Sequence, residues 1–312
     1  MFIRKEAGIG TANGTFGELL QGMLLERQRR FLVTLPIDAW STAVFRATTT
    51  TDEITVTPTW KRKSRQLATR ILRAHGYVGG GTLALDTAIP EGKGLASSSA
   101  DLVATARAVA DALGITLTEP EIEYFLRGIE PSDGVMYAGV VSYYHREVRL
   151  RERLGFLPPL TVVAHDPGGT VDTVDFNQTV TAPTMRERRE YRDLLDTLST
   201  AVSSGDLAAV GEVATRSAEL HTRRLPRPDF EELHRICRDH DGLGLVVAHS
   251  GTVLGILLGE HGTDPQRLER VLARCARLPG TVEVHRTLGK ADYDTPPPSV
   301  HHAGSIGGDC AL

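Results

Sequence analysis

The sequence predicts an α+β fold built from two domains. Its 312 residues are enough for two domains of ordinary size. Short β-branched and aromatic segments fill the first third, whereas the second half mixes strand and helix patterns, as a domain with an antiparallel sheet would. Pro158 and Pro159 mark the boundary. We therefore expect domains at 1–157 and 158–294, followed by a mobile, proline-led tail at 295–312.

Hydrophobic periodicity and turn residues predict the individual elements. Strands are expected at 31–35, 39–45, 54–57, 82–87, 135–144, 147–150, 160–164, 243–248, 253–258 and 281–286. Helices are expected at 61–74, 101–113, 118–128, 183–203, 206–224, 229–240 and 264–277. Gly114 is a stop signal for the second helix, and Thr118 with Glu121 forms a capping box for the third.

Composition excludes several classes of protein. Formal net charge is -4, so no basic excess points to nucleic acid or to an anionic membrane. Hydrophobic residues make up 41% and charged residues 24%, as in soluble globular proteins. No run approaches the roughly 18 apolar residues that a membrane span requires. The N-terminus lacks the apolar core of a signal peptide.

The cysteines indicate neither a disulfide framework nor a zinc site. Cys237, Cys275 and Cys310 are odd in number, far apart and outside any C-x-x-C spacing. This usage fits a reducing compartment, and we expect a cytoplasmic protein.

The segment PEGKGLASSSA at 90–100 is the most informative of the chain. Its glycines allow the backbone to bend close to a ligand, and its three serines lead into an apolar helical pattern. The amide groups at such a helix start lie at the positive end of the helix dipole, where phosphate binds. The segment differs from both the P-loop and the dinucleotide-binding pattern. The alternative is an N-capped helix after a flexible loop.

Two further segments combine glycine with carboxylates. In GTFGELLQG at 14–22, Glu18 and Gln21 lie between glycines, which suggests close approach to a ligand; a plain β-turn is the alternative. In EPSDG, Glu130 and Asp133 could hold Mg²⁺ and accept a hydroxyl proton, whereas an Asx turn is the alternative.

Two loops of the second half are further candidates for ligand binding. AHSGTVLG at 248–255 is a tight glycine turn between two strands, with hydroxyls that could approach phosphate, or else a simple hairpin. His249 in this turn is interpreted as a structural histidine. In DPGGTVDT at 166–173, Asp172 could face a substrate ammonium, and a solvated loop is the alternative.

These motifs resemble those of the GHMP kinases. PEGKGLASSSA is similar to the second motif, P-x-x-x-G-L-x-S-S-A, with Ser99 where alanine is commoner, and AHSGTVLG resembles the third. Together, GTFGELLQG, EPSDG, DPGGTVDT and AHSGT look like the L-threonine kinase branch, associated with the aminopropanol linker of cobalamin. That branch has cysteine where Phe16 stands and threonine where Ser132 stands. The resemblance covers about 10–290 and leaves out the tail.

The resemblance implies an N-terminal domain like ribosomal protein S5 domain 2 and a ferredoxin-like C-terminal domain, with ATP and an alcohol between them. The residues expected to bind ATP are Pro90, Gly92, Lys93, Gly94, Leu95, Ala96, Ser97, Ser98 and Ser99. Mg²⁺ would be held by Ser98 or Ser99 together with Glu130. Glu123, on the preceding helix, competes with Glu130 for this role.

The expected reaction is Mg²⁺- and ATP-dependent phosphorylation of L-threonine to O-phospho-L-threonine, with Asp133 accepting the hydroxyl proton. The expected substrate-binding residues are Gly17, Glu18, Gln21, Asp133, Asp172, Thr173, Ser250, Gly251 and Thr252. Of these, Glu18 or Asp172 would meet the ammonium.

Other functions stay open from the sequence alone. The enzyme could act on L-serine, homoserine or another small alcohol of a natural-product pathway. It could also be a catalytically silent nucleotide-binding regulator on the same fold. No nucleic-acid or membrane partner is expected, and the oligomeric state, including a homodimer, is left open.

Overall fold

The computed structural model describes residues 5–169, 183–248 and 251–294. The predicted tail at 295–312 lies outside the described residues. So do His249 and three predicted substrate-binding residues, namely Asp172, Thr173 and Ser250.

The described strands form one sheet. They are β1 (Gly8–Met23), β2 (Arg30–Thr48), β3 (Ile54–Thr57), β4 (Gly80–Thr87), β5 (Val140–Tyr144), β6 (Arg149–Gly155), β7 (Leu160–Asp166), β8 (Gly244–Val247), β9 (Leu254–Glu260) and β10 (Thr281–Arg286). Their spatial order is β10-β7-β9-β8-β1-β2-β4-β3, and β5 pairs with β2 and β6 outside this path. The strands β10, β7, β9 and β8 pair antiparallel, which confirms the expected antiparallel sheet of the second half.

Helices pack against this sheet and against one another. They are α1 (Arg62–Ala74), α2 (Ser97–Leu113), α3 (Glu119–Leu126), α4 (Met185–Ser204), α5 (Leu207–Thr222), α6 (Phe230–Asp239), α7 (Pro265–Cys275) and α8 (Lys290–Asp294). The capping box of Thr118 and Glu121 is present, and Gly114 ends α2 in a left-handed conformation, as predicted. Within the described segments, none of the helices combines the length and apolarity that crossing a bilayer requires.

The strand β1 is absent from the sequence-based prediction. Residues 14–22, for which a β-turn was the alternative, lie inside this strand. Most of its residues are buried whichever way they point, so the strand lacks the alternating pattern by which half-buried strands are recognised. Irregular register with β2 between Asn13 and Leu20 accommodates the left-handed Gly17.

Two other strand predictions are partly wrong. The predicted strands 31–35 and 39–45 are one strand, because Pro36 is paired with Thr15 at an irregular part of the ladder, where proline is tolerated. The predicted strand 135–144 begins only at Val140, after a turn.

Small residues hold α2 against β1. A Cβ atom at Gly10 would lie 2.2 Å from the carbonyl oxygen of Ala104, and one at Gly8 would lie 2.2 Å from that of Ala108. The alanines of α2 therefore approach the backbone of the strand directly. This contact fixes the position of the helix start, where Ser97, Ser98 and Ser99 lie.

The substitution Gly10→Ala is expected to destabilise the protein by about 1–3 kcal/mol, because the new methyl group has no space and the helix must shift. Urea unfolding followed by circular dichroism measures this change. Gly259→Ala is the matched control, since a Cβ atom there meets nothing within 4 Å. Equal free energies of unfolding for the two variants would contradict the packing described here.

Candidate active site

The loop between β4 and α2 bends sharply before the helix begins. Gly92, Gly94 and Ala96 have φ angles of 73°, 82° and 61°. Alanine rarely adopts this left-handed conformation, so the surrounding structure must stabilise it. No side chain caps the N-terminus of α2. The helix begins at Ser97 rather than at Asp101, so the three serines form its first turn.

The same loop touches two other glycine-rich segments. The amide of Gly17 donates to the carbonyl oxygen of Gly94 at 3.2 Å, and that of Thr15 donates to Leu95 at 3.3 Å. From the other side, a Cβ atom at Gly251 would lie 2.0 Å from the carbonyl oxygen of Lys93. The segments 14–22, 90–100 and 248–255, which are remote in sequence, therefore meet around Gly94.

Asp133 lies against the first turn of α2. Its Oδ2 accepts a hydrogen bond from the Ser99 hydroxyl at 3.0 Å, and its own amide donates to the Ser99 oxygen at 3.2 Å. Burial raises the pKa of Asp133 from 3.8 to about 6; the Ser99 hydrogen bond opposes this rise, and the negative charge of Glu130 adds to it. At neutral pH the carboxylate is therefore charged yet able to accept a proton.

Glu130 lies beside Ser98. Its carboxylate accepts a hydrogen bond from the Ser98 hydroxyl and forms an ion pair with Lys63. The Glu130 side chain is only 12% exposed, whereas that of Lys63 is 57% exposed. Two hard oxygen donors thus lie together at the start of α2, which suits Mg²⁺.

Glu123 has a different environment from Glu130. Its carboxylate accepts hydrogen bonds from the Tyr137 hydroxyl at 2.9 Å and the Leu150 amide at 2.6 Å, and it pairs with Arg127 at 3.1 Å. The side chain is buried and joins α3 to β6. These contacts favour a structural role for Glu123 and leave Glu130 as the better candidate for a metal ligand.

A small cleft lies between the glycine loop and the C-terminal strands. At its edge the Lys93 ammonium lies 2.5 Å from the Asp166 carboxylate and donates to the Gly169 carbonyl at 3.0 Å. The residues lining the cleft are Pro90, Lys93, Leu95, Ala164, Asp166, Val253, Thr281, Glu283 and His285. Glu283 and His285 were not predicted from the sequence, because β10 carries no motif.

The predicted substrate residues of β1 are buried. Glu18 pairs with Val247 of β8, at the only position where the described ladders join the two strands. Gln21 is 6% exposed, and neither atom of its amide has a hydrogen-bond partner among the described residues. Gly17 lies against the backbone of Val247 and Ala248.

Arg227 holds the turn at Gly251 and Thr252. Its guanidinium donates to the carbonyl oxygen of Gly251 at 3.4 Å and to that of Thr252. Burial lowers the pKa of Arg227, although Asp229 and Asp166 oppose this effect. No short motif marks Arg227, so the sequence alone missed it.

Lys61, which precedes α1, joins α2 and the glycine loop through ion pairs. The Lys61 ammonium lies 2.5 Å from Asp101 of α2 and 2.6 Å from Glu91 of the loop. Burial alone would lower the pKa of Lys61, but hydrogen bonds to both carboxylates outweigh it and raise the pKa. The sequence predicted only the start of a helix at Lys61, because the residues that pair with Lys61 are remote in sequence.

Comparisons with known proteins agree with this arrangement. Residues 62–139 match the family model described as GHMP kinases N terminal domain. The chain is 30% identical over 263 residues to the L-threonine kinase of Salmonella typhimurium, covering 82% of this chain and 85% of that protein. It is 28% identical over 268 residues to the L-threonine kinase of Citrobacter freundii, covering 83% and 88%.

Solved structures show the same fold at low identity. Homoserine kinase from Cytophaga hutchinsonii superposes with a TM-score of 0.74 at 15% identity, covering 91% of this chain and 95% of that one. Mevalonate kinase from Methanococcus jannaschii superposes with a TM-score of 0.67 at 16% identity, covering 90% and 98%. The convergence of three motifs on one loop, together with these relatives, leads to one conclusion: the chain belongs to the GHMP kinases and is an ATP-dependent small-molecule kinase with an alcohol group as acceptor.

Proposed function

We propose that the protein phosphorylates the side-chain hydroxyl of L-threonine, using ATP and Mg²⁺, to form O-phospho-L-threonine. The position of Asp133 carries this proposal, because its carboxylate is hydrogen-bonded to Ser99 in the first turn of the helix that follows the glycine loop. An acceptor hydroxyl at Asp133 would therefore lie next to a phosphoryl group at the start of α2. The two L-threonine kinases that the chain resembles over most of its length support the choice of acceptor.

Asp133 is suited to accept the proton of the acceptor hydroxyl. With a pKa of about 6 it is mostly ionised at neutral pH, yet more basic than an ordinary aspartate. Positioning of the hydroxyl supplies much of the expected rate enhancement, since phosphoryl transfer requires little covalent chemistry from the protein.

The glycine loop and the start of α2 are suited to bind the triphosphate. The amide groups of 97–99 have no intrahelical partners and lie at the positive end of the helix dipole. Lys93, although paired with Asp166 here, supplies a cation at the loop. Together these groups stabilise the charge that develops on the transferred phosphoryl group.

The residues around Glu130 fit a magnesium ion. Mg²⁺ usually takes one or two protein oxygens together with substrate phosphates and water, and the Ser98 hydroxyl and the Glu130 carboxylate offer such a pair. Ser99 fits less well, because its hydroxyl is engaged with Asp133. When bound, the ion would neutralise part of the negative charge of the phosphates.

A comparison of related acceptors tests the choice of L-threonine. One methyl group contributes only about 1–3 kcal/mol to discrimination, so L-serine is a realistic competitor of L-threonine. ADP release is measured with L-threonine, L-serine, homoserine and mevalonate. We expect the largest kcat/KM for L-threonine; a larger value for another acceptor would reassign the substrate, and no turnover with any would favour a silent regulator.

The variant Asp133→Asn is expected to lower kcat by roughly 10² or more, with ATP affinity little changed, because the proton acceptor is lost while the phosphate site is kept. Steady-state kinetics and a nucleotide titration measure both effects. Unchanged turnover would remove Asp133 from the mechanism.

The pH dependence of kcat/KM tests the same carboxylate. Activity should fall as the pH drops through about 6, since protonated Asp133 cannot accept another proton. Ser99→Ala should move this acidic limb to higher pH, because the Ser99 hydrogen bond stabilises the ionised carboxylate and so lowers its pKa. A limb that stays in place or moves to lower pH would contradict the assignment.

Ser98→Ala is expected to raise the Mg²⁺ concentration required for half-maximal activity, because one oxygen donor beside Glu130 is removed. Ser98→Thr is the matched control, since it keeps the hydroxyl. Identical Mg²⁺ titrations for wild type and Ser98→Ala would exclude Ser98 as a ligand.

Gly251→Ala is expected to lower kcat/KM for ATP by on the order of 10²-fold, because a Cβ atom 2.0 Å from the Lys93 carbonyl oxygen forces the glycine loop to move. Gly259→Ala serves as the control at an open position. If ATP kinetics are the same in both variants, contact between the two loops is not required for nucleotide use.

A further inference from the structure

Three arginines lie close together near the segment that carries Asp133. Arg30 begins β2, Arg146 lies in the turn between β5 and β6, and Arg224 follows α5. The pKa of Arg30 is lowered by burial, and the positive charges of Arg146 and Arg224 lower it further. The guanidinium groups of Arg146 and Arg224 are therefore close enough to that of Arg30 for their charges to act on it.

Arg224 and Arg30 differ in the partners of their guanidinium groups. Arg224 pairs with Glu187 at 2.6 Å and donates to the Tyr191 hydroxyl at 2.7 Å. Arg30, by contrast, is half-buried, and its guanidinium has neither a hydrogen bond nor an ion pair with any of the described residues. A partly buried cation without an anion is unfavourable, and an anionic ligand would relieve that cost.

Backbone contacts link Arg30 to the Asp133 segment. The Ser132 amide donates to the His145 carbonyl oxygen at 3.1 Å. Leu32 of β2 is paired with Tyr143 of β5, so the same antiparallel register, continued by two residues, brings Arg30 alongside His145. Burial lowers the pKa of His145 to about 3, with further lowering by Arg146 and Arg30, so the imidazole is neutral at pH 7.

Buried polar groups without partners flank the arginines. The Ser132 hydroxyl is fully buried and, like the Gln21 amide, has no hydrogen-bond partner in the described parts of the chain. Gln21 is paired with Leu32, and Met23 with Arg30, which makes Gln21 and Arg30 diagonal neighbours on one face, about 7–8 Å apart. Leaving such groups unpaired is costly, so a ligand that reached them would gain stability by pairing with them.

We propose that Arg30, flanked by Arg146 and Arg224, binds the carboxylate of the acceptor, and that Gln21 donates a further hydrogen bond to it. A planar guanidinium matches a carboxylate in a two-point, charge-assisted contact. The acceptors of this enzyme are then hydroxy acids with a free carboxylate, such as hydroxyl-bearing amino acids. The inference rests on the proposed function, because it places the acceptor hydroxyl at Asp133.

The test compares L-threonine with L-threoninamide, which lacks the carboxylate charge, in the wild type and in Arg30→Gln. We expect the variant to raise KM for L-threonine by about 10- to 100-fold, as for loss of a charge-assisted hydrogen bond, with KM for ATP unchanged. L-Threoninamide should be a poor acceptor for the wild type. Arg30→Gln should use it no less well than the wild type does.

Arg29→Gln is the matched control. The Arg29 guanidinium lies over the Tyr144 ring, 5.1 Å from its centroid, and 4.0 Å from the Glu147 carboxylate. KM for L-threonine should stay at the wild-type value in this variant. Thermal unfolding of both variants shows whether the fold is retained.

Two outcomes would overturn the inference. An equal loss of kcat/KM for L-threonine and L-threoninamide in Arg30→Gln would assign a structural role to Arg30. An unchanged KM for L-threonine would remove Arg30 from the site.

Failure of the proposed function would look different. In that case the wild type would turn over no amino acid, and the comparison would be repeated with mevalonate, a carboxylate-bearing alcohol, and glycerol, a neutral one. Preference for mevalonate that disappears in Arg30→Gln would keep the carboxylate site, whereas preference for glycerol in both proteins would exclude it.

Discussion

The close approach of three backbone segments at Gly94 is the constraint on which the site depends. A Cβ atom on Gly94 would lie 2.5 Å from that of Ala248, and one on Gly251 would lie 2.5 Å from the Gly94 amide nitrogen. No side chain fits between these segments, so their backbones fix one another. The glycine loop is thereby held in a strained, left-handed path that presents the start of α2.

Burial and charge place the two neighbouring carboxylates in different environments. Asp133 is desolvated and touches Ser99, so its pKa rises toward that of a useful base. Glu130 pairs with Lys63 and Ser98, which keeps its oxygens beside the loop. The roles proposed for these two acids, as proton acceptor and as metal ligand, therefore follow from their surroundings rather than from their chemistry.

The arginines near Ser132 are the groups that we propose to match the charge of the acceptor. A kinase for a free amino acid must match a carboxylate as well as a hydroxyl, and an unmatched buried charge would oppose binding. Arg30 supplies a positive charge with no described partner, next to the uncharged His145 and the amide of Gln21. In the proposed enzyme, recognition of the acceptor and transfer of phosphate would therefore both use contacts of the 130–134 segment.

Local pattern alone determined most helices, the antiparallel C-terminal strands and the motifs, because helix periodicity, capping residues and glycine spacing act within a few residues. Local pattern could not reveal β1, because its residues are buried on both faces. It also could not choose between Glu123, which is hydrogen-bonded to Tyr137 and Leu150, and Glu130, which is hydrogen-bonded to Ser98. Only the tertiary structure brought Gly17 and Gly251 to the glycine loop and gathered the arginines. Desolvation and long-range pairing depend on which distant segments pack together, and local sequence patterns do not show this.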